Sequence, residues 1–215
     1  GVVSGPRMFV AIHPIGATGG HGDSDPIPPY RVVHKTVREG TCNGAAQCLE
    51  AVRWQTKYGA DVIKIMPSGG VLSLSDPVDA PTMTLEEIQT IVEEAHHLGR
   101  KVAAHCHGDA AAKLAVRGGV DSIEHGSFLK NDTLQLLKER GVYLVPTLSA
   151  GESIKRTQFP PAIRAKADAA SAAVSEMFRN ALRLGVKIAF GTDAAVYPHG
   201  RNAGELALMT AQGMT

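Results

Sequence analysis

Lys64, His105, His125 and Asp193 stand at or near the ends of four separate short apolar runs. Neutral imidazole is the usual zinc ligand, and carboxylate oxygen suits the same ion. A lysine inside a strand is costly unless it is paired, neutral or modified, and burial lowers its pKa. Alternation along Asp61–Met66 puts Ile63 and Ile65 on one face and Lys64 on the other. Such a neutral amine could form a Schiff base with a carbonyl or a carbamate that bridges metals. His107 shares the inward face with His105, whereas Cys106 between them reads as a small core residue.

Each residue has a plainer reading. A lone histidine is commonly a hydrogen-bonded structural group, and an aspartate after Gly191-Thr192 is commonly a turn or N-cap residue. Lys64 by itself could snorkel to a rim. Four such residues at the ends of four different strands of one barrel are a poor fit to chance. His96 and His97 fall in the last turn of a helix, where a cation complements the dipole, and are set aside.

The elements that carry these residues repeat one rhythm of helix, glycine, buried strand and polar strand end. Strands are expected at Arg7–Ile12, Asp61–Met66, Lys101–His105, Val120–Glu124, Val142–Val145 and Val186–Phe190. Helices are expected at Ala45–Tyr58, from the cap Thr84 to Leu98, and at Asp109–Arg117, Asn131–Arg140 and Ile163–Leu184, with a short one from Asn202. Thr84-Leu-Glu-Glu87 has the form of a capping box. Uninterrupted β–α alternation implies a parallel sheet, and chemistry spread over many strand ends favours a barrel over a doubly wound sheet. A (β/α)8 TIM barrel takes ~250 residues. Roughly six strands in 215 residues therefore predict an incomplete barrel, strands 3 to 8, forming one partial domain over residues 1–215.

Composition excludes other classes. The chain is 44% hydrophobic and 20% charged, with net charge +1 and 5% aromatics, so no nucleic-acid partner is expected. No apolar run reaches the ~20 residues of a membrane span. Three cysteines make no disulfide framework, and pairing of Cys42 with Cys48 is left open. The chain begins without Met and ends as a helix finishes, and it reads as an internal piece of a longer protein. The composition is compatible with a homo-oligomer.

In order, VIKIMPSGG, VAAHCHG, SIEHG and IAFGTDAAVYPHG resemble the metal-dependent amidohydrolase superfamily. With GPRMFVA and TGGHGD, they are most similar to its imidazolonepropionase-like branch, which includes the prolidase-like Xaa-Pro dipeptidases. The resemblance covers essentially the whole chain. It implies a hydrolase that cleaves a carbon–nitrogen bond in a small amide or dipeptide and uses Zn2+, two ions in the complete enzyme. It implies a carboxylated Lys64, carrying a CO2-derived carbamate, as the bridge between the metals. His105 and His125 would bind one metal; Asp193 would bind the other and shuttle protons. His107, His21 and His199 would face the substrate or stand just behind the ligands. The superfamily's first strand supplies a His-x-His pair, and none precedes Lys64 here. Two rivals are a non-catalytic barrel piece that only binds metal and a Schiff-base lyase using Lys64.

Overall fold

The computed structural model describes residues 4–23, 29–31, 34–74, 76–153 and 156–215. Helix α1 is Ala45–Lys57, strand β1 Val62–Ile65, α2 Leu85–His97 and β2 Lys101–Cys106. Then come α3 Asp109–Gly118, β3 Ser122–His125, α4 Asn131–Arg140 and β4 Tyr143–Val145. Helices α5 Leu148–Ser153, α6 Pro161–Leu184 and α7 Gly204–Ala211 complete the order.

The strands are parallel and neighbour one another in the order β1-β2-β3-β4. Single parallel bridges extend the sheet at both sides, from Ile15 to Ile65 and from Leu144 to Ile188. Six chain segments thus lie side by side in their sequence order. A doubly wound sheet would reverse direction at a switch point, so this order is that of a barrel wall.

The two faces of the sheet divide by residue parity. Ile63, Ile65, Val102, Ala104, Cys106, Ile123 and Leu144 are fully or almost fully buried in one apolar core with Ile88, Ile91, Leu134, Leu137 and Phe178. Each Val, Leu, Ile and Phe side chain among them contributes about 1.5–3 kcal/mol on burial. On the other face the register sets Lys64 beside Ala103, and His105 beside Glu124. Lysine, histidine and glutamate are thereby aimed into the barrel interior.

Local signals in the sequence produce the boundaries. Thr84 and Glu87 close the expected capping box, with Glu87 N donating to Thr84 Oγ1 at 3.2 Å and Thr84 N to Glu87 Oε2 at 2.8 Å. Pro161 sits at the first position of α6, where its missing N–H costs nothing. Helix α5 adds an element to the segment after Pro146, between the expected strand Val142–Val145 and the expected helix from Ile163.

Arg7–Ile12 is a correction: it forms no strand among the described residues. Val10 exchanges hydrogen bonds with Asp61, but Ile12 takes a left-handed backbone (φ 62°), which breaks the run, and the bridge to β1 falls at Ile15. Met8 and Phe9 remain exposed, with no packed face to hold them in a pleat. Val186–Phe190 likewise shrinks to the bridge at Ile188. Cys42 and Cys48 are paired in a disulfide whose Cα atoms are 5.0 Å apart, tying the segment before α1 to its first turn. Cys106 is free and buried.

Candidate metal centre

One cavity of about 220 Å3 opens at the C-terminal ends of the strands. Lys64, His105, His125 and Asp193 all line it, and His21 and His107 join them. His199 does not: it is exposed and borders a separate depression with Phe159 and Tyr197.

His105, His107 and His125 offer nitrogens that all lie within 4.8 Å of one another. The rings of His107 and His125 are stacked with centroids 4.7 Å apart, and His105 meets both edge-on at 4.9 and 4.7 Å. His21 stacks on the far face of this group, 4.4 Å from His105. That close approach depends on Gly70, where an added Cβ would lie 2.0 Å from the His21 ring. Bringing imidazoles this close is acceptable only while they are neutral.

Burial sees to that. It is the largest cause lowering all three pKa values: His107 is pushed down to about 3, and His105 and His125 fall well below the ordinary value. Neighbouring imidazoles and Lys64 add to the shift in each case. Lys64 is lowered first by burial, with Glu124, Cys106 and Asp193 pulling it back up. Its neutral amine is correspondingly more accessible than that of a surface lysine. Loss of water raises the Asp193 carboxyl although the residue sits on the open side of the cavity; Lys64 opposes this and Glu124 adds to it. Burial also pushes the Cys106 thiol up, which makes it an inert core group.

Hydrogen bonds orient the rings. His125 Nδ1 lies 2.7 Å from Thr147 Oγ1, and His107 Nδ1 lies 2.9 Å from Ser127 Oγ. Each bond leaves Nε2 for a ligand. His105 Nε2 donates to the Gly69 carbonyl at 3.2 Å, which leaves its Nδ1 as the lone pair. Three neutral imidazoles with one nitrogen each engaged and the other available are a donor set that fits a divalent ion such as Zn2+. Asp193 shares the cavity but stands outside the tight imidazole group.

His125 reaches this group by an unusual route. Its register partner is Cys106, so simple alternation would turn its side chain toward the helices beside Ile123. Its backbone is left-handed (φ 72°) and Gly126 follows with φ 68°, and this twist returns the ring to the cavity. Thr147 (φ 49°) and Asp193 (φ 53°) are left-handed too. Non-glycine residues rarely adopt this conformation, and it costs roughly 1–3 kcal/mol where it persists.

Sequence reasoning missed Glu124, Ser127, Thr147 and Glu205. Glu124 was detectable, because alternation within Ser122–His125 puts it inward opposite His105. Glu205 was not. It is fully buried on α7 and accepts hydrogen bonds from Leu148 N at 2.8 Å, Ser149 N at 2.7 Å and the Ser149 hydroxyl. It caps α5 from more than fifty residues away, and so fixes the residue immediately before that helix, Thr147.

A parallel wall of βα units with a histidine cluster at its C-terminal mouth places the chain in the TIM-barrel class. Residues 2–215 match the amidohydrolase family, and the chain belongs to it. It is 33% identical to ochratoxinase of Aspergillus niger over 228 residues, covering 99% of this chain and 47% of that protein. The structure of a Xaa-Pro dipeptidase with methionine bound in its active site superposes with TM-score 0.95 at 41% identity, over 100% of this chain and 54% of that one. A prolidase complexed with N-methylphosphonate-L-proline gives 0.88 at 32% identity, over 99% and 54%. The chain spans about half the length of these relatives. The fold is accordingly part of a TIM barrel.

Proposed function

We propose that this chain supplies most of an active site that hydrolyses an amide bond in a dipeptide of the Xaa-Pro kind or in an N-acyl amino acid. The observation that carries this is the convergence of Lys64, His105, His125 and Asp193, from four strand ends, on one cavity. Cleavage of carbon–nitrogen bonds by the prolidase and dipeptidase relatives supports the same reading.

His105 and His125 would hold one divalent ion and Asp193 a second, both Zn2+ in our reading, with a carbamate on Lys64 shared between them. Bound there, such ions polarise the amide carbonyl and lower the pKa of water toward neutrality. Asp193 takes the proton of the attacking water and delivers it to the leaving nitrogen. Its raised pKa brings it closer to the range in which both transfers are feasible. Lys64 reacts with CO2 as the neutral amine, and its burial favours that form. His21 and His107 face the substrate from the wall of the cavity.

Asp193→Asn in the full-length protein tests the assignment. Metal content should persist while turnover of N-acyl amino acids and Xaa-Pro dipeptides falls by about 10^2–10^4-fold. Turnover near that of the unaltered protein rules the role out.

A second reading has one observation behind it: no His-x-His pair precedes Lys64. By itself the 215-residue chain would then bind metal without turning over substrate. A Schiff-base lyase would leave the imidazole cluster without a purpose, and borohydride trapping at Lys64 with substrate would reveal it.

A further inference from the structure

The cavity has two unlike halves. One holds the imidazoles, Lys64 and Asp193; the other is walled by Val71, Leu72, Ala150, Ala167, Ala170 and Val174. Ala167, Ala170 and Val174 are spaced at helical intervals along one face of α6, and their short side chains leave the space open. The loop that follows β1 packs beside them. Val71, Ala167 and Ala170 form a small apolar cluster of their own, separate from the main core, with Leu72, Val78 and Phe128 packed against it.

This roof is fixed in place. The Lys166 ammonium donates to the carbonyls of Gly70 (3.2 Å), Ser73 (2.9 Å) and Asp76. Gly70 N donates in turn to Asp76 Oδ2 at 3.0 Å, which closes the loop on itself. Lys166 neighbours Ala167, so one turn of α6 both holds the loop and faces the chamber beneath it. A chamber held rigid in this way is preorganised and loses little on filling.

We propose that the apolar half is the specificity subsite, and that the favoured substrate bears a ring-sized apolar group, such as a phenyl ring or a branched aliphatic chain, beside its scissile amide. The inference rests on the amide-hydrolase reading for the role of the polar half. Size permits it: a cavity of about 150 Å3 lined by apolar side chains holds one benzene, and the whole cavity here is about 220 Å3. Water next to alanine and valine walls has few partners, and an apolar substituent gains affinity by displacing it.

The test compares benzohydroxamate with acetohydroxamate on the zinc-loaded full-length protein by calorimetry, alongside hydrolysis of N-benzoyl and N-acetyl amino acids. Benzohydroxamate should bind at least about tenfold more tightly. Ala170→Leu should cut that preference about tenfold by filling the chamber, and Val174→Ala should shift it toward larger rings. Val174→Ala removes atoms rather than adding them, so it reads the chamber even if Ala170→Leu fails to fold. Equal binding of the two hydroxamates, or variants that move both alike, overturns the proposal. A benzohydroxamate preference without cleavage of any amide overturns the hydrolase reading and leaves the subsite standing. Cleavage with no preference for benzoyl over acetyl does the reverse.

Discussion

His125 and Thr147 meet at 2.7 Å through Nδ1 and Oγ1, and both hold left-handed backbone, φ 72° and φ 49°. One strained residue orients another across the mouth of the barrel. Neither conformation is favourable alone, so the surrounding structure must impose both.

Thr147→Val keeps the shape of the side chain and deletes the hydrogen-bond partner of His125. Metal affinity, read by competition with a chelator, should fall about 10–100-fold. Thr147→Ser should recover most of it, because the hydroxyl returns. Unchanged affinity in Thr147→Val would show that the bond does not orient the ring.

Glu205→Leu strips the N-terminus of α5 of its cap. Leu148 N and Ser149 N would be left buried without acceptors, each costing about 1–3 kcal/mol. Urea denaturation should register the sum as lost stability. Metal affinity should weaken as well, since Thr147 immediately precedes the freed helix. A destabilised protein with unaltered metal affinity would confine Glu205 to a folding role.

Acid should destabilise the metal-free protein in a defined window. In the unfolded chain the histidines titrate near the ordinary value of 6.5, while in the fold His107 holds off protonation until about 3 and His105 and His125 also titrate well below 6.5. Between those limits the unfolded chain binds more protons, so stability falls as pH falls. The contribution is complete above about pH 6.5, and each imidazole removes at most about 1.4 kcal/mol per pH unit below it. Thermal melts of the metal-free protein from pH 7.5 to 4.5 should show the decline beginning near pH 6.5. A flat profile would mean that the three rings are not buried as neutral groups. Adding Zn2+ at pH 7.5 should raise the melting temperature by mass action, and chelation should reverse it.

Much of the scaffold could be read from local signals. Thr84 and Glu87 announce the start of α2, and Gly141 and Gly185 mark the ends of α4 and α6. The pleat of β1 turns Ile63 and Ile65 toward the helices and Lys64 inward, and that of β2 does the same for Cys106 and His105. All of this follows from periodicities of two or about 3.6 residues, which need no knowledge of distant contacts. The same rules fail at Arg7–Ile12, where apolar residues alone could not make a strand without a neighbour to pair with along their length.

The sequence by itself determined the β–α order and which strand ends carry histidine, lysine and aspartate. Only the tertiary structure decided where His125 points, because parity aims it at the helices and a left-handed backbone reverses it. It also gathered His107 into one group with His105 and His125, and closed α5 with a carboxylate from α7. Alternation is a property of neighbouring residues and is written locally. A strained dihedral or a cap delivered from more than fifty residues away exists only when the whole fold holds it there.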